Sequence, residues 1–376
     1  MTSLAKPRVL FVSRERFRLP LEGTQQRKWD ALSAVVDPRV VAAAAPGSPL
    51  RDARFRLWPR LRPRLLDGPV FYLALPARVA AALRAFEPHA VLVQGVHEAA
   101  AVLAARRLVH SRARVILDVQ GDWHVATRLY GSRARRLLNP LSDAIGAGVV
   151  PRVDGIRTLS GFTSSVVRAA GAEPLAEFPP FVDAAAFLAP PLEPLPGIPA
   201  ALFVGVLERY KGFDTLAAAW PQVAQAVPGA QLHVVGRGTL APLADELARD
   251  GARWTESLGA DGVSAAMDAA TLLCLPSRAE GLGRVVLEAM CRGRSVVGGR
   301  AGGIEDLVAD SVNGLLVDPD DPQALAAALI AVLGDAGTAA RMGEAARRTG
   351  EAWSVTPEQY AERVDALLRA VLDGDS

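Results

Sequence analysis

The stretch Ala270–Gly303, ATLLCLPSRAEGLGRVVLEAMCRGRSVVGGRAGG, decides the fold of this chain. Its first apolar run, Thr271–Leu275, is bounded by a proline and predicts a buried strand. A glycine-rich loop follows, and apolar residues at helical spacing then predict a helix that stops at Gly293. A second apolar run, Ser295–Val297, predicts the next strand. Strands that alternate with helices in this way are typical of a parallel α/β sheet.

The loop between that strand and that helix has the composition of an anion site, because the free N–H groups of a helix N-terminus favour negative charge. Two carboxylates bracket the helix start, Glu280 before it and Glu288 about two turns inside it. A carboxylate accepts two hydrogen bonds and suits vicinal hydroxyls, so the pair indicates a sugar ligand. The alternative is a helix cap and a solvated helix residue, which is the common case for a single Glu.

The residues EGLGRVVLEAM, followed by RSVV and GGI, resemble the E-x7-E signature of family 4 retaining glycosyltransferases of the GT-B fold. The resemblance implies that Glu288 holds the ribose of a nucleotide sugar donor and that Glu280 contacts the transferred sugar. It also implies that the backbone of Gly281, Leu282 and Gly283 meets the diphosphate. A metal ion and a cofactor are not expected.

The composition indicates a globular protein of two domains, since 376 residues exceed the usual size of one. Residues 1–190 carry 27 Lys and Arg against 15 Asp and Glu, a net +12, whereas residues 191–376 carry 15 against 25, a net −10. This asymmetry predicts that the first half meets an anionic surface or substrate.

The compartment predicted from the sequence is the cytoplasm. Cys274 and Cys291 lack metal-ligand spacing and read as buried, reduced thiols. The N-terminus lacks the apolar core of a signal peptide, and no uninterrupted apolar run reaches the length that spans a membrane. Peripheral contact with the inner face of the membrane stays compatible with this pattern.

The segment Arg51–Arg64, RDARFRLWPRLRPR, is the candidate for such contact. It interleaves six arginines with Phe55, Leu57, Trp58 and Leu61. Arginine beside aromatic and leucine side chains suits anionic lipid headgroups. A solvated loop is the alternative. No nucleic-acid-binding motif accompanies the cluster, so a nucleic-acid partner is not predicted.

The first domain offers a glycine and three polar candidates. Arg8–Ser13 predicts the first strand, and the resemblance implies that Gly23, in the loop before a helix near Gln25, lets backbone approach the donor phosphates and acceptor. Glu22 stands where relatives have a second glycine. An ordinary turn glycine is the alternative.

Two further predicted strands are followed by polar residues. His97 comes after one of them, and Asp122 and His124 come after the other. These residues are therefore expected at the carboxyl edge of a parallel sheet, where open α/β sheets bind ligands. The resembled family commonly has a catalytic histidine where Gln120 stands, which makes Asp122 and His124 the nearby substitutes. A lone histidine is also often an ordinary surface or core residue.

The second domain begins with the strand Ala201–Val204 and the loop that starts at Gly205. Relatives have arginine directly after this glycine and lysine five residues later, both on the diphosphate. Lys211 matches, Val206 occupies the arginine position, and Arg209 is the expected replacement. Two cations that face a diphosphate neutralise the charge that develops on it as the glycosidic bond breaks.

The loop Gly236–Ala241 fits the dinucleotide pattern G-x-G-x-x-A, but it opens the third strand-to-helix unit of its domain rather than the first. The resemblance instead implies that this loop lies beside the nucleotide, which makes Arg237 a candidate contact of the diphosphate.

The predicted architecture is a GT-B fold, with two doubly wound, Rossmann-like parallel-sheet domains that face each other across a cleft. The proline-dense segment Pro190–Pro196 predicts the linker. Residues 1–190 then form an acceptor-binding domain and residues 191–355 a donor-binding domain. Residues 356–376 form a helix that crosses back to the first domain.

The predicted function is metal-independent, retaining transfer of a sugar from a nucleotide diphosphate sugar to an acceptor hydroxyl, in glycolipid, polysaccharide or glycoconjugate biosynthesis. A glycan, a lipid-linked compound or a small molecule is the acceptor. A GT-B-type nucleotide-sugar epimerase and a non-catalytic nucleotide-sugar-binding protein are the alternatives, the latter favoured by Gln120 and Val206. The hypothesis of an NAD-type dehydrogenase is a third alternative, and the Gly236 pattern alone supports it.

Overall fold

Two parallel sheets organise the chain in a computed structural model that describes residues 6–61, 64–125, 139–189 and 191–374. The chain forms two units, Met1–Phe181 with Thr356–Ser376 (unit 1) and Val182–Val355 (unit 2). This division falls nine residues before the predicted boundary at 190/191. Pro190, the first residue of the predicted linker, lies outside the described residues, as do Arg62 and Pro63 of the arginine-rich segment.

Unit 1 contains a seven-stranded parallel sheet in the order β3-β2-β1-β4-β5-β6-β7. The strands are β1 (Arg8–Phe17), β2 (Asp37–Ala44), β3 (Phe55–Trp58), β4 (Ala90–Gln94), β5 (Arg114–Val119), β6 (Gly155–Thr158) and β7 (Ala176–Glu177). The described helices among them are α1 (Gly23–Val35), α2 (Arg64–Phe86), α3 (Val96–Leu108), α4 (Asn139–Val149) and α5 (Gly161–Ala169).

Helices cover both faces of this sheet, because successive side chains of a strand point to opposite sides. Leu10 and Val12 of β1 join α2 and α3 in one buried cluster. Phe11, between them, lies edge-on to Trp29 of α1 with ring centroids 5.0 Å apart. The strands read as near-continuous apolar runs for the same reason, since parallel sheets are buried on both sides.

Unit 2 contains a six-stranded parallel sheet in the order β10-β9-β8-β11-β12-β13. The strands are β8 (Ala200–Val204), β9 (Gln231–Val235), β10 (Arg253–Thr255), β11 (Leu272–Leu275), β12 (Ser295–Gly299) and β13 (Gly314–Val317). The helices are α6 (Ala185–Leu188), α7 (Phe213–Ala226), α8 (Ala241–Arg249), α9 (Ala260–Asp268), α10 (Arg284–Cys291), α11 (Ile304–Leu307), α12 (Pro322–Leu333) and α13 (Ala336–Trp353).

The strand order of unit 2 reverses between β8 and β11. The chain runs outward from β8 to β9 and β10, and then returns to β11 on the other side of β8. In open α/β sheets the crevice outside the carboxyl ends of two such strands is where ligands bind. The loops after β8 and β11 are therefore the place to look for a site.

The last helix, α14 (Pro357–Leu372), belongs to unit 1 and packs against α1. A capping box begins it, since Thr356 accepts from the Gln359 N–H and the Gln359 side chain accepts from the Thr356 N–H. Tyr360 then lies 6.0 Å from the ring of Phe178 and 6.2 Å from that of Phe181.

One described helix segment, Asp67–Phe86 of α2, is long and apolar enough to cross a membrane by length and composition alone. Helices α12 and α13 pass the same test only as a pair, bent by 97°. This test tolerates a few charged residues, and Arg78 and Arg84 interrupt the segment, so it is not the uninterrupted apolar run that the sequence analysis considered. Phe71, Leu75 and Val79 of α2 are buried in the core of unit 1.

Candidate active site

The loops after β8 and β11 of unit 2 lie side by side because the two strands are neighbours. Gly212 has a φ of +68°, and a Cβ placed there would lie 1.9 Å from the carbonyl oxygen of Pro276. Only glycine permits this approach. The backbone N–H of Arg278 donates to the carbonyl of Tyr210 at 2.7 Å, which ties the loops together.

An ion pair joins the two loops. The Nζ of Lys211 donates to Oε1 of Glu280, and the Ser277 hydroxyl donates to the same oxygen at 2.9 Å. The Lys211 and Glu280 side chains are only 15% and 10% exposed. Charges removed from water to this extent interact strongly with whatever replaces the water. Lys211 and Glu280, two predicted site residues that are far apart in the sequence, therefore meet at the switch point of the sheet.

Arg278 holds this arrangement, and the sequence analysis did not select it. Its guanidinium donates to both carboxylate oxygens of Asp214, at 2.7 and 3.1 Å, and to the backbone carbonyl of Arg209. Its Nε donates to Asp320 at 2.7 Å, and this hydrogen bond lowers the pKa of the Asp320 carboxyl. Arg278 thus links loops after β8, β11 and β13. The available signal was an arginine in a loop between buried elements, where a cation needs partners.

A second glycine turn, Gly302-Gly303, packs against the backbone of the Glu280 loop. The N–H of Gly303 donates to the Glu280 carbonyl at 3.1 Å. At Gly302 (φ +62°) a Cβ would lie 2.1 Å from that carbonyl oxygen. Leu282 is buried in the core of unit 2, which leaves its backbone as the part able to contact a ligand. Gly283, with a φ of +80°, begins α10.

Glu288 is the fifth residue of α10 and lies just over one turn inside it, rather than the predicted two. The described residues supply no hydrogen bond to its carboxylate. Burial raises the pKa of Glu288 to about 7, and the nearby charge of Arg284 only partly offsets this effect. A half-buried carboxylate that receives no hydrogen bond from the described residues is suited to ligand hydroxyls.

The remaining predicted cations of unit 2 are exposed at the same edge of the sheet. Arg209 is 74% exposed and lies 3.5 Å from Asp214. Arg237 follows β9 and lies 3.3 Å from the exposed Glu256. Ion pairs this open to water contribute little, so both arginines can change partners at small cost. Gly205 starts the Arg209 loop, close to the Lys211 side chain.

In unit 1, Gly23 is the first residue of α1, two residues before the predicted helix start. Its φ is +52°, and no heavy atom lies within 4 Å of the position a Cβ would take. The space beside this backbone is open to a ligand.

His97, Asp122 and His124 lie around the first turn of α4, at the carboxyl ends of β4 and β5. The Nε2 of His97 is 3.0 Å from the Ser142 hydroxyl. Oδ1 of Asp122 is 2.9 Å from Nδ1 of His124 and accepts from the His124 N–H at 2.8 Å. The Nε2 of His124 is 4.0 Å from Asp143. Unit 1 therefore brings its three predicted polar candidates to one edge.

A buried carboxylate beside His97 was not selected as a site residue. Glu98 is 5% exposed and accepts from the Tyr72 hydroxyl at 2.8 Å. Burial raises the pKa of Glu98, and the Tyr72 hydrogen bond opposes that rise. The guanidinium of Arg14 lies 5.4 Å from the Tyr72 ring centroid. Tyr72 and Arg14 are thus positioned to orient Glu98 and the first turn of α3.

The arginine-rich segment contributes its apolar residues to the core. Phe55 and Leu57 are buried in β3, and Phe55 packs edge-on against Trp29 at 5.2 Å. Arg54 donates to Asp30 at 3.3 Å. The interpretation of Phe55 and Leu57 as lipid contacts is therefore wrong, because β3 extends the sheet and both side chains turn inward.

Known proteins resemble this chain in sequence, most clearly in unit 2. Residues 198–335 match the family described as "Glycosyl transferases group 1". The GDP-mannose-dependent alpha-(1-6)-phosphatidylinositol monomannoside mannosyltransferase of Mycobacterium tuberculosis is 32% identical over 295 residues, 73% of this chain and 73% of that protein.

The similarity to solved structures covers nearly the whole chain. Sucrose-phosphate synthase from Thermosynechococcus elongatus aligns with 98% of this chain and 100% of its own, with a TM-score of 0.78 and 20% identity. Anabaena Alr3699/HepE in complex with UDP-glucose aligns over the same shares, with a TM-score of 0.68 and 16% identity. With the two parallel-sheet units, these neighbours establish the GT-B fold.

Proposed function

Since the chain belongs to the group 1 glycosyltransferases, we propose that it moves a sugar from a nucleotide diphosphate sugar to an acceptor hydroxyl and retains the anomeric configuration. The observation that carries this proposal is the Lys211–Glu280 pair at the switch point of unit 2. It sets a cation for phosphate beside a carboxylate for sugar hydroxyls. The spacing of Glu280 and Glu288 then corresponds to the E-x7-E signature.

The diphosphate is assigned to Lys211, Arg209 and the backbone N–H groups at the start of α10. When the bond between sugar and diphosphate breaks, negative charge grows on the departing phosphate, and these groups lie fixed where it grows. A diphosphate would replace Glu280 as the partner of Lys211 and release that carboxylate for the sugar. The charge these groups supply supports a reaction that needs neither a metal ion nor a cofactor.

The ribose is assigned to Glu288, whose carboxylate has no donor within the described protein. Ribose hydroxyls would satisfy it and offset the cost of its burial. Arg237, at the neighbouring loop after β9, is assigned to the nucleotide.

The acceptor is assigned to unit 1, where His97, Asp122 and His124 occupy the edge next to the exposed Gln120. One of these side chains takes the role that relatives give to a histidine. The name of the mycobacterial relative supports a lipid-linked acceptor. A glycan and a small molecule are the other candidates. The place of action is the cytoplasm, at the inner face of the membrane.

A donor panel tests the proposal. The chain is mixed with GDP, UDP and ADP, and the midpoint of unfolding is measured, because a ligand that binds the folded state raises it. The matching nucleotide sugar is then supplied with lipid extract, and the anomeric configuration of the product is read by NMR. Transfer with retention is expected. A new nucleotide sugar formed without acceptor would instead indicate an epimerase, and inversion would overturn the retaining assignment.

A further inference from the structure

An open cleft lies at the amino ends of β4 and β5 in unit 1. It is lined by residues between α2 and β4, by residues between α3 and β5, and by Leu372 at the end of α14. Its volume of about 670 Å³ suits a small-molecule ligand. His97 and Asp122 follow the other ends of the same two strands, and the five residues of β4 span roughly 15 Å. The cleft is therefore separate from the candidate active site.

The charges that line this cleft are mostly positive. Arg84 and Arg112 are exposed, and the described residues supply neither side chain with an ion pair or a hydrogen-bond acceptor. Arg114 already pairs with Asp154 at 3.5 Å. Glu87 is the acid of the lining. Two guanidinium groups are thus available to an anion, for which their planar forks of donors are suited.

Two histidines line the same cleft. Nδ1 of His89 accepts from the backbone N–H of Arg8 at 2.9 Å, so the ring carries its proton on Nε2 and can donate a hydrogen bond from there. His110 is exposed and has a φ of +53° just after the end of α3. Helices commonly place glycine at this position, because a side chain is strained there. The cleft therefore offers imidazole donors in addition to its arginines.

The positive charge of the lining is not explained by helix capping. Helices α2 and α3 end at this cleft, and the carbonyl groups at a helix C-terminus attract cations. The backbone already satisfies the end of α3, because the N–H groups of His110 and Ser111 donate to the carbonyls of Arg107 and Arg106 at 3.2 and 3.0 Å. Arg112 donates to neither carbonyl, so its charge is left for a ligand.

We propose that this cleft binds a small phosphorylated molecule, at a site separate from the one that transfers sugar. Phosphate oxygens would accept from Arg84 and Arg112, since guanidinium groups bind phosphate strongly, and from Nε2 of His89. Leu83 and Val109, also in the lining, would contact the carbon part of the ligand. The proposal does not depend on the proposed function, because none of these residues is assigned to the donor or the acceptor.

The test is isothermal titration calorimetry of the full chain with inorganic tripolyphosphate. The chain is first saturated with the nucleotide that the donor panel selects, so that the site in unit 2 is occupied. If the panel selects none, the free chain is titrated, and the result of the panel then has no bearing on this test. Binding is expected, and it should weaken as salt is added, since screening weakens charge attraction.

The double variant Arg84→Ser/Arg112→Ser should bind tripolyphosphate at least about tenfold more weakly, because charge-assisted hydrogen bonds are lost. The matched control is Arg27→Ser/Arg363→Ser, which removes the same charge from exposed positions on α1 and α14 and should bind as the wild type does. The unfolding midpoint of each variant shows whether it is folded.

Absence of tripolyphosphate binding by the wild type would overturn the proposal, as would equal binding by the two double variants. Binding that is lost in Lys211→Ala and kept in Arg84→Ser/Arg112→Ser would place the anion in unit 2 and also overturn it. Phosphatidylglycerol vesicles that bind through Arg84 and Arg112, where tripolyphosphate does not bind, would assign the cleft to a lipid headgroup instead.

Discussion

Glu288 is a carboxylate that the fold keeps mostly away from water without giving it a hydrogen-bond donor from the described residues. Burial disfavours its charged form, and its pKa therefore rises to about 7. A charge kept mostly away from water is costly unless it is paired. A ligand that donates hydroxyls, as proposed for the ribose, would offset this cost.

Nucleotide affinity is expected to increase as the pH rises through about 7, because the ionised Glu288 carboxylate accepts stronger hydrogen bonds from ribose than the neutral acid does. Titration calorimetry on either side of that pH measures the change. The Glu288→Gln variant should bind about tenfold or more weakly at the higher pH and lose most of the pH dependence. A profile equally steep in this variant would assign the titration to another group.

The stability of the free protein should respond to Glu288 in the opposite sense. The pKa is about 7 in the folded chain against an ordinary 4.5, so the folded state binds more protons between these values and the wild type loses stability as the pH rises across that window. Glu288→Gln removes this loss and should raise the free energy of unfolding by up to about 3 kcal/mol above pH 7. Urea unfolding across the window measures it, and a difference that does not vary with pH would refute the explanation.

Lys211→Ala is expected to lower kcat about a hundredfold or more while changing nucleotide affinity far less, because the charge that Lys211 meets grows in the transition state. Lys211→Arg should recover part of the activity. Steady-state kinetics and nucleotide binding measured on the same preparations separate the two effects. The control is Arg249→Ala, an exposed cation of α8 in the same unit, and equal kcat values for the two alanine variants would remove Lys211 from the site.

At the level of the elements, Arg278 connects three loops of unit 2, which follow β8, β11 and β13. Its guanidinium is only 9% exposed and contacts Asp214 and Asp320, while Gly212 lets the loop after β8 approach Pro276. The loops have little regular structure of their own, so these contacts decide where Lys211 stands relative to Glu280.

Arg278→Ala should destabilise the protein by about 1–3 kcal/mol, because two carboxylates and a carbonyl lose their donor. It should also lower kcat more than a purely structural change would, whereas Arg278→Lys should restore stability better than turnover, since an ammonium cannot reproduce the two-pronged contact. Denaturant unfolding and kinetics give both values. Arg300, whose pairs with Asp310 and Asp318 lie on the surface, supplies the control Arg300→Ala, and similar results for the two alanine variants would contradict the role of Arg278.

At the scale of the whole molecule, the predicted GT-B fold and glycosyltransferase activity are confirmed by the two parallel sheets, the family match and the solved neighbours. The comparisons do not favour the epimerase, the non-catalytic binder or the dehydrogenase. The chain enters unit 2 after Phe181 and returns to unit 1 at Thr356, so its last helix completes the unit that its first strand began.

Leu368→Ala tests that organisation. Leu368 of α14 is fully buried, and its truncation should cost unit 1 about 2–5 kcal/mol. If the units unfold separately, calorimetry should show one transition shifted down in the variant, while nucleotide raises the other. A nucleotide effect confined to the transition that Leu368→Ala shifts would contradict the assignment of the donor to unit 2.

The sequence by itself determined the elements and much of their chemistry. Apolar runs bounded by glycine and proline predicted β8 and β11 and the helices after them, because burial and turn formation leave local patterns. Lys211 and Glu280 lie in the loops that follow these strands, and the family resemblance selected them there. Glu288 was selected through its spacing from Glu280.

Only the tertiary structure decided which distant residues meet. The partners of Arg278, the Tyr72 hydroxyl on Glu98, the inward turn of Phe55 and the cleft at the amino ends of β4 and β5 depend on strand order and on which side of each helix meets the sheet. Many sequences with the same local pattern could place those side chains elsewhere, because a hydrogen bond or a packed contact depends on distance in space and not along the chain.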